Sequence, residues 1–315
     1  MASVTIRKIA ELTGVSPATV YRALAGNGSV SMENRRKIIA CANANHYTLP
    51  EHNCRNIAIL VPHFRFYGYL GNMLAHLEKA LHEENYRIQL IPESDLAVLG
   101  DHMFDGIITM VWREGEVLTL PREYDIPIVS LNAAFSVLEN ISLVASEKNG
   151  ILQALNYLKQ HGCRRVFFVG TLTDKNPIES ERLECFRKFC LDNSLNFDRM
   201  HRSVCAVDVE SVLPDILAEE SDGVFCASET YAFRIGKAMQ KHGIAIPQDI
   251  SLMGLEAEEL NTTFEPAITA IRQDFEKLAK STVKVLTQAI EKHSPVKNVR
   301  VPYTLVERES VKSIH

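Results

Sequence analysis

The first 47 residues carry apolar side chains at helical spacing in three short runs. In TIRKIAELTGV (5–15), Ile6, Ile9 and Ala10 recur at i, i+3 and i+4, while Arg7, Lys8 and Glu11 point elsewhere. Thr5 is placed to cap this helix and Gly14 to end it. Ser16 caps the next helix, Pro17 takes its first position, and Val20, Ala23 and Leu24 form its apolar face. Two helices joined by a glycine-containing tight turn make a helix-turn-helix pattern. After the loop AGNGSV, a third helix is predicted from a Ser31 cap to about His46, with Ile38, Ile39 and Ala42 inside and Arg35, Arg36 and Lys37 outside.

From Ile57 the period changes. Continuous apolar runs at 57–61, 87–91, 106–111, 126–131, 166–170, 223–227 and 250–255 predict strands buried on both faces. Amphipathic stretches at 70–85, 147–161, 179–193, 209–220, 229–242 and 274–293 predict helices between most of them. This alternation implies doubly wound parallel sheets in two lobes, with ligand space where strand carboxyl ends face each other.

A length of 315 residues fits more than one domain. Hydrophobic residues at 46 % and charged residues at 23 % suit an ordinary soluble chain and exclude wholesale disorder. The longest apolar runs fall well short of the roughly 18 residues of a membrane span. Residues 1–30 lack the apolar core of a signal peptide. Seven scattered cysteines without a CxxC pair predict a reduced, cytoplasmic protein with small buried thiols.

Charge divides the chain. Residues 1–56 hold seven basic and three acidic side chains, a net +4, which leaves −9 on the remainder. A basic head on an acidic body suits a polyanion partner for the head, although such a charge also suits a plain solvated surface. The exposed side of the second helix sharpens this. Ala18 and Arg22 lie one turn apart, flanked by Thr19 and Tyr21. A small residue near the helix start lets it enter a major groove, and an arginine one turn on can fork onto a guanine edge. Thr5, Ser16, Thr19 and the helix amides suit phosphates. Taken singly, each is an ordinary surface residue; the whole arrangement is not.

Chemistry for an enzyme is missing from the pattern. There is no GxGxxG after a strand, no P-loop, no GxSxG elbow, no HExxH and no paired Cys/His zinc spacing. His76 and His82 are six apart and share no metal-binding face, and Cys185 and Cys190 read as core or surface thiols. No cofactor or metal is predicted.

The segments 5–26 and 28–39 resemble the DNA-binding headpiece of the lactose/galactose-repressor family of bacterial transcription regulators. The body resembles the same family, whose sensor is similar to periplasmic sugar-binding proteins. FDGIITM (104–110), HGCRRVFFVG (161–170), ESERLECFRKFC (179–190), IPQDISLMGLE (246–256), EPAITAIRQDFEKLA (265–279) and the closing strand VERES (306–310) carry that likeness. It implies an all-α headpiece at 1–47, a linker at 48–56 and a two-lobed effector-binding and dimerisation domain at 57–315. It implies DNA contacts from Thr5, Ser16, Pro17, Ala18, Thr19, Tyr21, Arg22, Asn27 and Arg35.

For the effector, taken between the lobes, the likeness implies Arg182, whose guanidinium can fork onto paired hydroxyls or a phosphate. It also implies Glu256, where the family has aspartate. Tyr67 or Tyr69 either stacks on a ligand ring or belongs to the core. Asn132, Ser146, Ser228 and Glu229 stand where the family has other polar residues, and Cys185 replaces a glycine. The altered set predicts an effector changed from the usual sugars, or a weakened response. The family's longer connection, with its Ala-Arg-x-Leu hinge helix, has no counterpart in TLPEHNCRN (48–56), where Pro50 favours an extended linker. The stretch near 92–103 is shortened too.

The implied protein is a regulator, a repressor in the simplest form, acting as a homodimer on a palindromic operator in double-stranded DNA. Helix 70–85 is a candidate contributor to the dimer, and a tail without leucine heptads favours a dimer over a tetramer. Two other readings stay open at this point: a small-molecule binding module whose headpiece no longer reads DNA, and an α/β enzyme with a fused headpiece.

Overall fold

The computed structural model describes residues 4–26, 29–47, 55–66, 68–110, 126–132, 141–171, 177–292 and 298–313. Asn27, Tyr67 and most of the linker lie outside them. The chain divides into two compact units: residues 1–145 with 275–299, and residues 146–274 with 300–315.

The headpiece helices form where their caps place them. α1 spans Ile6–Thr13, with Thr5 Oγ1 accepting the Lys8 N–H at 3.3 Å and Gly14 closing it at φ 72°. That left-handed conformation suits glycine and strains a side chain. α2 spans Pro17–Leu24, capped by Ser16 Oγ on the Thr19 N–H at 3.2 Å. α3 spans Met32–Ala44 behind the Ser31 cap. Ile9, Val20, Leu24, Ile38, Ile39 and Tyr47 close a core between them. Each fully buried aliphatic side chain contributes about 1.5–3 kcal/mol relative to leaving it exposed.

The rest of the first unit is a parallel sheet. Its strands are β1 (Asn56–Val61), β2 (Arg87–Pro92), β3 (Gly106–Thr109), β4 (Ile128–Leu131), β5 (Ile141–Ser146) and β11 (Val299–Val301), in the order β11-β5-β4-β3-β1-β2. α4 (Gly68–Glu83) packs beside α10 (Phe275–Lys292). The shortened stretch after β2 is a 3-10 segment, Glu93–Gly100, broken at Asp95.

The second unit repeats the winding. Its strands are β6 (Val166–Thr171), β7 (His201–Val204), β8 (Gly223–Cys226), β9 (Ser251–Leu255), β10 (Thr269–Gln273) and β12 (Tyr303–Val306), in the order β12-β10-β9-β8-β6-β7. Its helices are α5 (Gly150–Gln160), α6 (Pro177–Asp192), α7 (Leu213–Ala218), α8 (Tyr231–Lys241) and α9 (Glu258–Thr263). The core is built from strand interiors such as Phe167, Phe168, Phe225 and Leu252 under Phe186, Ile235 and Phe264. In both sheets the first strand lies between the second and third, so the order reverses beside it. Ligands of doubly wound sheets gather at that reversal, beyond the carboxyl ends of the strands.

Three local expectations change. The helix expected at 209–220 is a 3-10 segment, Ala206–Val212, followed by α7. Pro214 has no N–H and its ring obstructs the preceding turn, so it sits in the first turn of a new helix. The closing strand ends at Val306 rather than running through Ser310, and β12 pairs antiparallel with β10. Past Val306, Ser310 accepts the Thr269 N–H at 2.8 Å and donates to the Leu252 carbonyl at 2.5 Å, which holds the chain outside the ladder. The cysteines are not uniformly buried: among the described ones Cys163, Cys190 and Cys226 are buried, Cys41 and Cys185 half-buried, and Cys205 exposed, all free. Burial pushes the Cys190 thiol up to about 11, away from thiolate chemistry.

Candidate functional site

In the headpiece, α2 turns Val20, Ala23 and Leu24 into the core, which leaves Ser16, Pro17, Ala18, Tyr21 and Arg22 exposed and Thr19 half-buried. The hydroxyls of Ser16 and Thr19 sit 2.9 Å apart. Ser16 therefore both caps the helix and stays at its accessible amino end, where the helix dipole favours a phosphate. Arg22 folds back along its own helix, its Nε donating to the Ala18 carbonyl at 3.2 Å. This parked guanidinium can swing outward without breaking any core contact. Thr5 is exposed at the start of α1, and Arg35 is half-buried on α3 with its Nε enclosed and unpartnered. The exposed residues have the make-up of a groove-reading face: small, hydroxylic, aromatic and cationic.

Among the described residues, Asn132, Ser146, Ser228 and Glu256 lie at or just past carboxyl ends of strands, Glu229 follows Ser228, and Tyr69 and Arg182 lie on helices α4 and α6. In the first unit, Asn132 follows β4 in a left-handed conformation, φ 57°, which asparagine tolerates. Its Nδ2 donates to the Tyr69 hydroxyl at 2.9 Å. The Tyr69 ring lies 5.9 Å from that of Phe275. Tyr69, half-buried, thus sets its ring beside the half-buried Phe275 and its hydroxyl on Asn132.

In the second unit, Ser146 Oγ accepts the Gln273 amide at 2.8 Å, and its carbonyl accepts from Arg300 at 3.0 Å. Arg182, on α6 after β6, donates through Nη1 to Glu179 Oε1 at 2.8 Å and to the Ala227 carbonyl at 2.9 Å. Its Nε–H is buried and meets no partner among the described residues. Burial pulls the Arg182 pKa down, but Glu179, Tyr303 and Glu229 reverse this and the net shift is upward. For Glu179 burial wins: its carboxyl rises above the ordinary value although Arg182 and the Thr171 amide pull it down. The two ends of one pair respond unequally because the carboxylate loses more hydration than the single guanidinium contact returns. Ser228 and Glu229 follow β8, both half-buried.

Glu256, after β9, is not open to a ligand in the same way. It takes a bidentate pair from Arg308 at 2.7 and 3.1 Å. Glu179, Gln273 and Tyr303 were not among the residues singled out in the sequence. Glu179 had a signal, since it sits one helical turn before Arg182. Tyr303 had none: it reaches this region from a strand more than a hundred residues away, over Gly150, where a Cβ would collide with its ring. Among the described residues no group of His, Cys, Asp and Glu is placed to hold a metal ion, and no helix is long and apolar enough to cross a membrane.

An exposed, capped helix-turn-helix fused to two doubly wound units with polar strand ends defines a ligand-sensing DNA-binding class of protein. Comparison with known proteins agrees. Residues 5–48 match the bacterial regulatory proteins of the lacI family, and residues 155–311 match the periplasmic binding protein-like domain. The chain is 24 % identical over 326 positions to the sucrose operon repressor of Streptococcus mutans, covering 96 % of this chain and 98 % of that one. It is 25 % identical over 334 positions to the ribose operon repressor of Haemophilus influenzae, covering 98 % and 99 %. In fold it is similar to a transcriptional regulator CelR–cellobiose complex, with TM-score 0.72 at 21 % identity over 98 % of this chain and 99 % of that one. It is also similar to the lac repressor dimer bound to operator and the anti-inducer ONPF, with TM-score 0.71 at 18 % identity and the same coverage. The chain thus joins a DNA-binding headpiece of the lacI family of bacterial regulatory proteins to a periplasmic binding protein-like domain.

Proposed function

We propose that this protein is a sequence-specific, DNA-binding transcription repressor, acting as a homodimer in the cytoplasm and controlled by a small molecule, without enzymatic activity. The observation that carries the reading is the exposed face of α2: Pro17, Ala18, Tyr21 and Arg22 are exposed, outside the buried headpiece core, on a helix of lacI-family type. Residues 1–47 are the headpiece, 48–56 the linker and 57–315 the sensing and dimerisation domain. Arg22 reads a base edge. Ser16, Thr19, Thr5 and Arg35, with Asn27 in the loop, hold the backbone. The relatives named for sucrose and ribose operons support a sugar or sugar derivative as effector.

The body's polar residues favour an effector unlike a neutral hexose. Arg182 already spends Nη1 on Glu179 and a carbonyl, and Glu256 is closed by Arg308. In the second unit the buried Nε–H of Arg182 meets no partner among the described residues, and Glu229 lends that side an acidic character. The deciding experiment is selection of duplexes from a random DNA library with the full-length protein near physiological salt. An enriched palindrome supports the reading; intact protein that enriches nothing overturns it. Thermal-shift titration against a metabolite library tests the effector, and strong stabilisation by a neutral hexose defeats the altered-effector reading.

A further inference from the structure

The headpiece and the start of β1 are both tied to one five-residue segment of the first unit. Tyr47, the last described residue before the linker, is buried in the headpiece core. Asn56, where β1 begins, donates its N–H to Asp105 Oδ2 at 2.7 Å, and its carbonyl accepts the Asp105 N–H at 2.9 Å. Four residues earlier, Asp101 ends the Glu93–Gly100 segment, its N–H on the Val98 carbonyl at 3.0 Å. Asp101 also receives Arg36 of α3 through both carboxylate oxygens, Nε to Oδ1 at 2.6 Å and Nη2 to Oδ2 at 3.3 Å. Between the two aspartates, consecutive side chains part company. Met103 packs against the headpiece core, and Phe104 is buried in the core of the first unit.

We infer that residues 101–105 form a docking platform on the body for the chain's own headpiece, and that this contact, in place of a hinge helix, sets the orientation of α2. An exposed ion pair alone contributes little. Here the carboxylate is only 15 % exposed against 54 % for Arg36, the pair is a charge-assisted fork, and Met103 adds an apolar anchor beside it. The short linker makes the docking intramolecular, so a contact too weak to hold two separate molecules suffices. Arg36 is thereby committed to Asp101 rather than to a phosphate. The docking stands on unit geometry alone; only its use in setting operator spacing rests on the DNA-binding reading.

Amide-nitrogen relaxation of the headpiece in the full-length protein, without DNA, tests this. Docked headpiece amides share the correlation time of the body. Asp101→Arg sets like charges against each other and shortens that time about threefold, as for a domain on a flexible tether. The charge-swapped pair, Arg36→Glu with Asp101→Arg, restores it. Met103→Ala, a milder change that leaves the ion pair intact, gives an intermediate value and serves should Asp101→Arg fail to fold. A wild-type headpiece that tumbles independently of the body overturns the inference, as does an Asp101→Arg or Met103→Ala headpiece that tumbles as the wild type does. In duplex selection, the wild type enriches one half-site spacing and Asp101→Arg accepts several. Failure to enrich any sequence strikes the DNA reading and leaves the tumbling result in place.

Discussion

Arg308 closes Glu256 from both sides of its carboxylate, at 2.7 and 3.1 Å, with the two side chains only 13 % and 7 % exposed. Arg308 also donates to the Ile268 carbonyl at 2.7 Å. The pair joins the loop after β9 to the chain leaving β12, so it acts as a staple in the second unit. Removing one partner strands the other charge in a shielded site. Glu256→Ala is expected to lose about 3–5 kcal/mol of unfolding free energy, while the double change Glu256→Leu with Arg308→Met loses far less. Urea unfolding at unchanged m-value measures both. A loss below about 1 kcal/mol for Glu256→Ala returns this carboxylate to the list of ligand contacts.

Arg22→Ala should weaken specific DNA binding by about 1–3 kcal/mol and relax a single base position, leaving non-specific binding nearly unchanged. Competition titrations against the selected operator and a scrambled duplex read the difference. Equal losses on both duplexes assign Arg22 to a phosphate instead.

Leu49→Ala should change operator affinity by less than about 0.5 kcal/mol, the usual range for a substitution away from any packed or base-reading contact. Leu49 lies in the linker, outside the described residues. A loss of tenfold or more reveals a leucine wedged into the minor groove and revives the hinge-helix mechanism.

The raised pKa of Glu179 links folding to pH. Because the folded state holds this proton more tightly than the unfolded chain does, the contribution of Glu179 to stability is fully present below the unfolded carboxylate value of about 4.3. It is lost as pH rises through the higher folded value. Glu179→Gln removes the dependence, so the wild-type stability falls more steeply above about pH 4.3 than that of the variant. Chemical denaturation at a series of pH values compares the slopes; parallel curves contradict the assignment.

The helix-turn-helix and the alternation of strand and helix are legible along the chain. Both rest on local rules. A cap, a proline at the first helical position and a glycine with φ 72° at Gly14 act within four residues, and their spacing is written in order along the chain. Most strands buried on both faces announce themselves as apolar runs, but β5, ISLVAS, is largely buried and is not among the predicted runs. β7, with the composition HRSV, is not among them either, because an edge strand half-open to water needs no such run. Pro214 marks the break between the 3-10 segment and α7, although the apolar spacing of 209–220 runs across it.

Which polar groups are already engaged depends on how the packed elements meet. Arg182 and Glu256 look in sequence like open ligand contacts. Their engagement by Glu179 and Arg308 depends on where α6 and the chain after β12 come to lie. The same holds for Asp101: nothing in 92–103 marks it as the partner of an arginine 65 residues upstream. Charge pairing across such distances is set by packed elements arriving together, and no residue spacing along the chain encodes that meeting. Sequence fixes what each element can offer; only the assembled sheets decide what remains unclaimed for DNA and for a ligand.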